Sequence, residues 1–299
     1  MLFGKKKIGL ALAGGGAKGL AHIGLLEVLE REGIPVDVIS GTSIGAIIGA
    51  NYALEPDIEK LKQTATSLVK SEMYNDLKLD RLRPCKENNW FDRIRNKAKS
   101  RLTFTEALLK PSLISEEPVK RFFDEFYDEK KFEDTEIPFA AVALDLVSGE
   151  DVIFREGLIK DALRASTAIP GIFPAVEMDG RLLVDGGVTA NDPVLAAREL
   201  GADVVIGIIF GYDPRPVGRL KNSMDVILRG DQLAKLKLFR MLISKADYVV
   251  EIDTGDIHWT DFGRLEECIE MGCEAAKRNV DGLRKAAGGN FFRRYFKLG

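Results

Sequence analysis

Apolar residues along the chain follow two recurring patterns, short uninterrupted runs and stripes at helical spacing. Runs of the first kind, at residues 8–13, 36–39, 138–144, 203–210 and 248–252, have the form of strands buried on both faces of a sheet. Shorter runs occur at 151–154, 176–178 and 181–184. Ser148-Gly149 precedes the first of these, and Asp179-Gly180 joins the other two as a hairpin turn. Helical stripes cover 18–31, 157–165, 219–243 and 262–287. Strand, helix and strand within the first forty residues predict a right-handed parallel βαβ unit, with Gly33 ending the helix and Pro35 leading into the second strand. The expected fold is α/β, a three-layer sandwich with a mostly parallel central sheet flanked by helices. Between 56 and 135 the strand-like runs stop, and charged segments at 56–71, 104–110 and 115–127 predict a helical cap inserted into a single domain spanning 1–290.

The βαβ unit carries two glycine turns, each after the carboxyl end of a strand: Gly14-Gly-Gly-Ala-Lys-Gly19 and Gly41-Thr-Ser-Ile-Gly45. If the strands are neighbours, the turns face each other at one sheet edge, where open α/β folds place ligands. Gly-x-Ser-x-Gly between strand and helix is the form of a nucleophile elbow, which lifts the Ser43 hydroxyl clear of the backbone. Opposite it, Gly14, Gly15 and Gly16 present N–H groups without side-chain obstruction. With the N–H of Ile44 at the next helix start, they suit a developing oxyanion. Gly14, Gly16 and Gly19 also spell a dinucleotide fingerprint, but that site wants an acidic residue where Ile39-Ser40-Gly41 stands; Asp37 lies at the beginning of the strand. A Walker phosphate loop fails because Leu20 occupies the place of its lysine.

Whole-chain properties narrow the chemistry. With 299 residues and a net charge of −3, the chain has room for a large core and no global basic character, so no nucleic-acid partner is expected. Cys85, Cys268 and Cys273 show no metal-ligand spacing and suit a reducing compartment. Lys5-Lys6-Lys7 before residues 8–13 imitates a signal peptide, but the apolar part is short and is better used as a strand. The expected location is cytoplasmic, with peripheral contact at a membrane surface. Residues 81–101 hold eight Arg or Lys against two acids, around Trp90 and Phe91. A solvated basic face and an anionic-surface contact both fit that stretch.

Later in the chain, Asp185-Gly-Gly187 follows a strand without a return strand. Asn191-Asp192-Pro193 then opens a helix, with Asp192 as cap and proline at its first position. The prolines of Ala165-Ser-Thr-Ala-Ile-Pro170 and Pro174 hold an irregular apolar segment fit to wall a cleft.

Gly14–Gly19, Gly41–Gly45, Ala165–Pro170 and Asp185–Gly187, in that order, resemble the motifs of the patatin-like phospholipase family, especially its compact bacterial members. The resemblance implies a serine acyl hydrolase of phospholipase A or lysophospholipase type, cleaving lipid acyl esters through a Ser–Asp dyad. Ser43 would be the nucleophile and Asp185 its base. The glycine loop would form the oxyanion hole, assisted by Lys18, with no metal or organic cofactor. Two alternatives stand beside it. Ser43, Asp185 and His258 obey the Ser, acid, His order of an α/β-hydrolase triad; and the chain could bind lipid without catalysis. His22, on the first helix, reads as a packing or capping residue.

The chain closes with Phe291-Phe-Arg-Arg-Tyr-Phe-Lys297, a tail at 291–299 that either meets a lipid surface or folds its rings into the core. For the first role, deleting 291–299 weakens co-sedimentation with anionic vesicles and spares turnover of a soluble short-chain ester. Equal binding defeats that role, and loss of soluble-ester turnover marks the tail as structural.

Overall fold

A computed structural model describes residues 6–82, 110–189, 193–211, 220 and 222–288. In chain order the strands are β1 Ile8–Leu12, β2 Val38–Thr42, β3 Phe139–Asp145, β4 Asp151–Phe154, β5 Val176–Met178, β6 Arg181–Asp185, β7 Val204–Phe210 and β8 Tyr248–Ile252. The helices are α1 Ala21–Arg31, α2 Ile44–Leu54, α3 Ile58–Lys70, α4 Glu72–Asp76, α5 Glu116–Tyr127, α6 Ile159–Ser166, α7 Val194–Glu199, α8 Ser223–Ile243 and α9 Leu265–Ala286. The expected helix at 104–110, most of the basic stretch 81–101, Asp192 and the tail 291–299 fall outside the described residues.

All eight strands join one mixed sheet, paired in the order β5-β6-β3-β2-β1-β7-β8 with β4 also on β3. The five strands β1, β2, β3, β7 and β8 are parallel, while β4, β5 and β6 run antiparallel to their partners. The mostly parallel centre is thus as expected, and the Asp179-Gly180 hairpin forms with φ of 51° and 76°, as a type I′ turn requires. Asp37 has a structural use: its Oδ2 accepts from the Ile8 N–H, clamping β1 at the end of the sheet away from the glycine turns.

Strand alternation sorts side chains to two faces. Ile8, Leu10 and Leu12 of β1 enter the main core with α1, α2, α5 and α9, whereas Ala11 and Ala13 meet α7 and α8 on the other face. The expected helix at 18–31 is two elements, a 3₁₀ turn Gly16–Leu20 followed by α1. The glycine loop needs the tighter turn to pass from the sheet edge into the helix. Helices α3, α4 and α5 lie between α2 and β3 in the chain and share the main core.

Helices α1 and α9 touch backbone to backbone. A Cβ at Gly24 would overlap the Ile269 carbonyl, and one at Gly272 would overlap the carbonyl of Ala21. Helix propensity alone favours alanine at either site by up to about 1 kcal/mol. Overpacking costs about 1–3 kcal/mol and more where backbone must move, so it outweighs propensity. Gly24→Ala and Gly272→Ala should each lower the unfolding free energy by about 1–3 kcal/mol in urea titrations; a stabilised variant would contradict the contact.

Candidate active site

Ser43 ends β2 and caps α2 with φ 56° and ψ −126°, a backbone region costly for a residue with a Cβ, on the order of 1–3 kcal/mol. The flanking glycines make room for this turn. A Cβ at Gly41 would overlap the Gly45 carbonyl, and one at Gly45 would overlap that of Leu12. The strained residue is also tied down: its N–H donates to Ser166 Oγ at 2.9 Å, and its carbonyl accepts from Ala46 and Ile47.

Register explains what faces it. β2 runs parallel to β3 as far as Thr42, opposite Val142, and β6 runs antiparallel to β3 as far as Asp185, opposite Ala143. Pro138 O bonds the β2 side and Leu146 N bonds Leu182 O of β6, while Asp145 N turns to Glu150 on the β4 side. Backbone groups alternate along a strand, so the even-numbered ones share an edge. β2 and β6 therefore meet head-on along one edge of β3. At the junction Ser166 Oγ donates to the otherwise interrupted Val142 carbonyl at 2.7 Å. Gly186 fits there because a Cβ would stand 2.9 Å from that same oxygen.

Asp185 is 5% exposed. Its Oδ1 accepts from the Gly187 N–H at 2.7 Å, its own N–H donates to Ala168 O at 3.0 Å, and the Ser43 hydroxyl is the carboxylate's side-chain partner. Burial raises its pKa from 3.8 to about 6, against the opposing pull of the Ser43 and Gly187 hydrogen bonds.

The glycine loop is braced on two sides. Ala17 N–H donates to Trp259 O at 2.7 Å, and Gly16, at φ 58°, leaves no room for a side chain beneath that carbonyl. On the other side, buried His22 donates from Nε2 to Ala13 O at 2.9 Å and packs on Phe210 with ring centroids 4.8 Å apart. Burial lowers its pKa to about 4, so it is a neutral packing residue and not a base. Phe210 also fills the space that a side chain at Gly15 would need. The N–H groups of Gly15, Gly16 and Ile44 have no protein acceptor among the described residues. Lys18 lies half-buried on the 3₁₀ turn that follows.

The family model for patatin-like phospholipases matches residues 10–198, which include every motif just described. The chain belongs to the patatin-like phospholipase family. It is 30% identical over 293 residues to patatin-like phospholipase domain-containing protein 6 of Mus musculus, covering 95% of this chain and 19% of that protein. It is 31% identical over 229 residues to neuropathy target esterase sws of Drosophila melanogaster, covering 76% and 14%. The chain thus spans about a fifth or less of the curated relatives it matches. Among solved structures, VipD from Legionella pneumophila is similar at a TM-score of 0.49 and 13% identity, over 93% of this chain and 67% of that one.

In this patatin-like chain Ser43 opens into an almost wholly apolar cavity. Ile47 and Ile48 of α2, Leu68 of α3, Phe122 of α5, and Trp259 and Phe262 near the other end of the chain line it. His258 does not line it; its Nδ1 bonds Thr260 Oγ1 at 2.8 Å within its own turn. Ser166 was visible in the sequence only as part of a motif without a role. Trp259 and Phe262 carried no local signal, because their contact with the glycine loop joins the two ends of the chain.

The displaced pKa of Asp185 makes stability depend on pH. The unfolded carboxyl titrates near 3.8 and the folded one near 6, so between these values the folded state holds more protons. Stability from this group is complete below about pH 4 and is lost as pH rises through about 6, a total of about 3 kcal/mol. Asp185→Asn should therefore be more stable than the parent above pH 7 by about 1–3 kcal/mol, with the gain vanishing near pH 4. Urea titrations at pH 4, 6 and 8 test this; a pH-independent difference rules out a desolvated carboxylate as its origin.

Proposed function

We propose that the chain is a serine acyl hydrolase acting on lipid acyl esters through a Ser43–Asp185 dyad. The observation that carries this reading is the meeting of a strained serine with a desolvated carboxylate at the head-on ends of β2 and β6, beside a cavity lined almost wholly by apolar side chains. Membership of the patatin-like phospholipase family and the printed names of the relatives support the same reaction class.

Ser43 Oγ attacks the ester carbonyl while its proton passes to Asp185. The carbonyl π electrons move to oxygen, and the N–H groups of Gly15, Gly16 and Ile44 stabilise the anion, with Gly14 shaping the loop and Lys18 adding positive charge. Collapse expels the alcohol, which takes the proton from Asp185 and leaves an acyl-Ser43. Water then repeats the sequence and releases the fatty acid. With a pKa of about 6, Asp185 is ionised at neutral pH yet far more basic than an ordinary aspartate. The triad alternative asks His258 to stand between Ser43 and Asp185 as the base, but its Nδ1 is engaged by Thr260, and Trp259, not His258, lines the cavity. We place the reaction in the cytoplasm at a membrane surface. The free Cys268 and Cys273 suit a reducing compartment, and no helix of the described residues is long and apolar enough to cross a membrane.

Ser43→Ala and Asp185→Asn should each nearly abolish ester hydrolysis, and the double variant should be no worse than either, as for members of one catalytic unit. His258→Ala should keep activity within about an order of magnitude, whereas a triad base is worth several. In the parent, kcat/KM should rise with pH through an apparent pKa of about 6, as Asp185 loses its proton. An inactive, folded His258→Ala replaces the dyad with the triad, and failure of a fluorophosphonate to label Ser43 leaves a lipid-binding protein without catalysis.

A further inference from the structure

The lining of the apolar cavity ends at a common depth on three helices. On α2 it comprises Ile44, Ile47 and Ile48, and the next member of that stripe, Asn51, lies outside it. On α5 it ends at Phe122 and Phe123, one turn before Tyr127. Asn51 Nδ2 donates to Tyr127 OH at 2.7 Å and to Ile47 O of its own helix at 2.8 Å, so the two stripes are tied together just past their last lining residues. Tyr127 is buried, and its ring stacks on Phe123 with centroids 6.2 Å apart. α3 follows α2 after the short loop 55–57 and therefore runs back antiparallel to it. Its lining members are Leu68, Val69 and, farthest from Ser43, Ala65; Leu61, one turn deeper, is buried away from the cavity.

Ser43, at the start of α2, stands at the opposite end of this space. From Ser43 to Asn51 the helix rises about 12 Å, which matches an extended acyl chain of roughly eight to ten carbons. Ala65 is the one small side chain that α2, α3 and α5 contribute to the lining; the others are valine, isoleucine, leucine or phenylalanine. A hydrocarbon chain gains burial with each carbon until it meets Ala65 and the Asn51–Tyr127 pair. To go farther it would have to part that pair and leave polar groups unpaired against hydrocarbon, which costs more than another methylene gains.

We propose that the far end of the cavity measures the acyl chain: Ala65 and the Asn51–Tyr127 pair set the longest chain accepted, and the preferred substrates are medium-chain acyl esters. These residues determine specificity from a distance and do not touch the reacting atoms. This deepens the lipid hydrolase reading and rests on it, but the length limit itself can be measured without turnover.

The test measures kcat/KM of the full chain on p-nitrophenyl butyrate, octanoate, decanoate, laurate and palmitate in mixed micelles of one composition. In the parent it should peak at octanoate or decanoate and fall at least about tenfold by palmitate. Ala65→Leu, which adds bulk at the far end, should move the peak to a shorter ester and lower the ratio of decanoate to butyrate at least about tenfold. Asn51→Ala, which removes the obstruction and keeps a good helix former, should move the peak to a longer ester, a gain that damage to the fold does not produce. A profile unchanged in both variants overturns the proposal, as does a parent that prefers palmitate. A length preference that instead follows the alcohol in a series of n-alkyl butyrates also overturns it, because the leaving group would then fill the cavity. Binding separates the two readings. In Ser43→Ala protein, methyl n-alkyl ketones should bind roughly fourfold tighter per added methylene up to the same limit, and adding Ala65→Leu should lower that limit. If the parent hydrolyses no ester yet shows the limit, the hydrolase reading fails and the measuring cavity stands; ketone binding that Ala65→Leu leaves unchanged overturns the measuring role.

Discussion

Two strands ending against each other on one edge of β3 create the site. A parallel strand delivers Ser43 and an antiparallel strand delivers Asp185, and because both are registered on the same backbone, their side chains meet without help from a flexible loop. The junction breaks the hydrogen-bond ladder, and a break of this kind inside a core is expensive unless something fills it. Ser166 does so, giving its hydroxyl hydrogen to Val142 O and taking the Ser43 N–H on the same oxygen. One hydroxyl thus satisfies the interrupted ladder and holds the strained residue in place.

The same burial that closes the junction adjusts the proposed base. An aspartate in water is too weak an acceptor to compete with imidazole near neutrality. Removal from water brings Asp185 to about 6, close to the ordinary value of about 6.5 for histidine. A desolvated carboxylate can therefore take the place of a histidine in this chain, whose two histidines are engaged elsewhere: His22 supports Ala13, and His258 bonds within its turn. The arrangement sets stability against reactivity, since the folded state holds a charge it would otherwise shed.

Around this centre the two faces of the sheet differ in use. The face covered by α1, α2, α9 and helices α3 to α5 contains the apolar cavity onto which Ser43 opens. The opposite face, covered by α7 and α8, has smaller residues from β1 and leaves much of α8 in water. The glycine loop lies between them, gripped by Phe210 and His22 on one side and by Trp259 on the other. Its backbone is set by neighbours drawn from both ends of the chain, so the loop N–H groups proposed to hold the oxyanion stand on a fixed frame.

Much of this was written locally. Short apolar runs marked the strands within two residues or so, because a strand buried on both faces needs no polar side. Gly41 and Gly45 identified the elbow because only glycine avoids the Gly45 and Leu12 carbonyls, and Asp179-Gly180 announced a hairpin through its positive φ angles. Ser43 and Asp185 could be picked out as chemistry, one in an elbow and the other at a strand end. What the sequence alone could not decide was their meeting, which depends on the register of β2 and β6 along β3 and has no local signature. Nor could it assign Ser166, Trp259 or Phe262, whose partners lie far away in the chain; His22 read as a packing or capping residue, but its partners Ala13 and Phe210 came only with the fold. The strength of the base was equally beyond it. A pKa of about 6 follows from how completely the assembled core excludes water from Asp185, and that exclusion is a property of the packed fold and not of any segment in it.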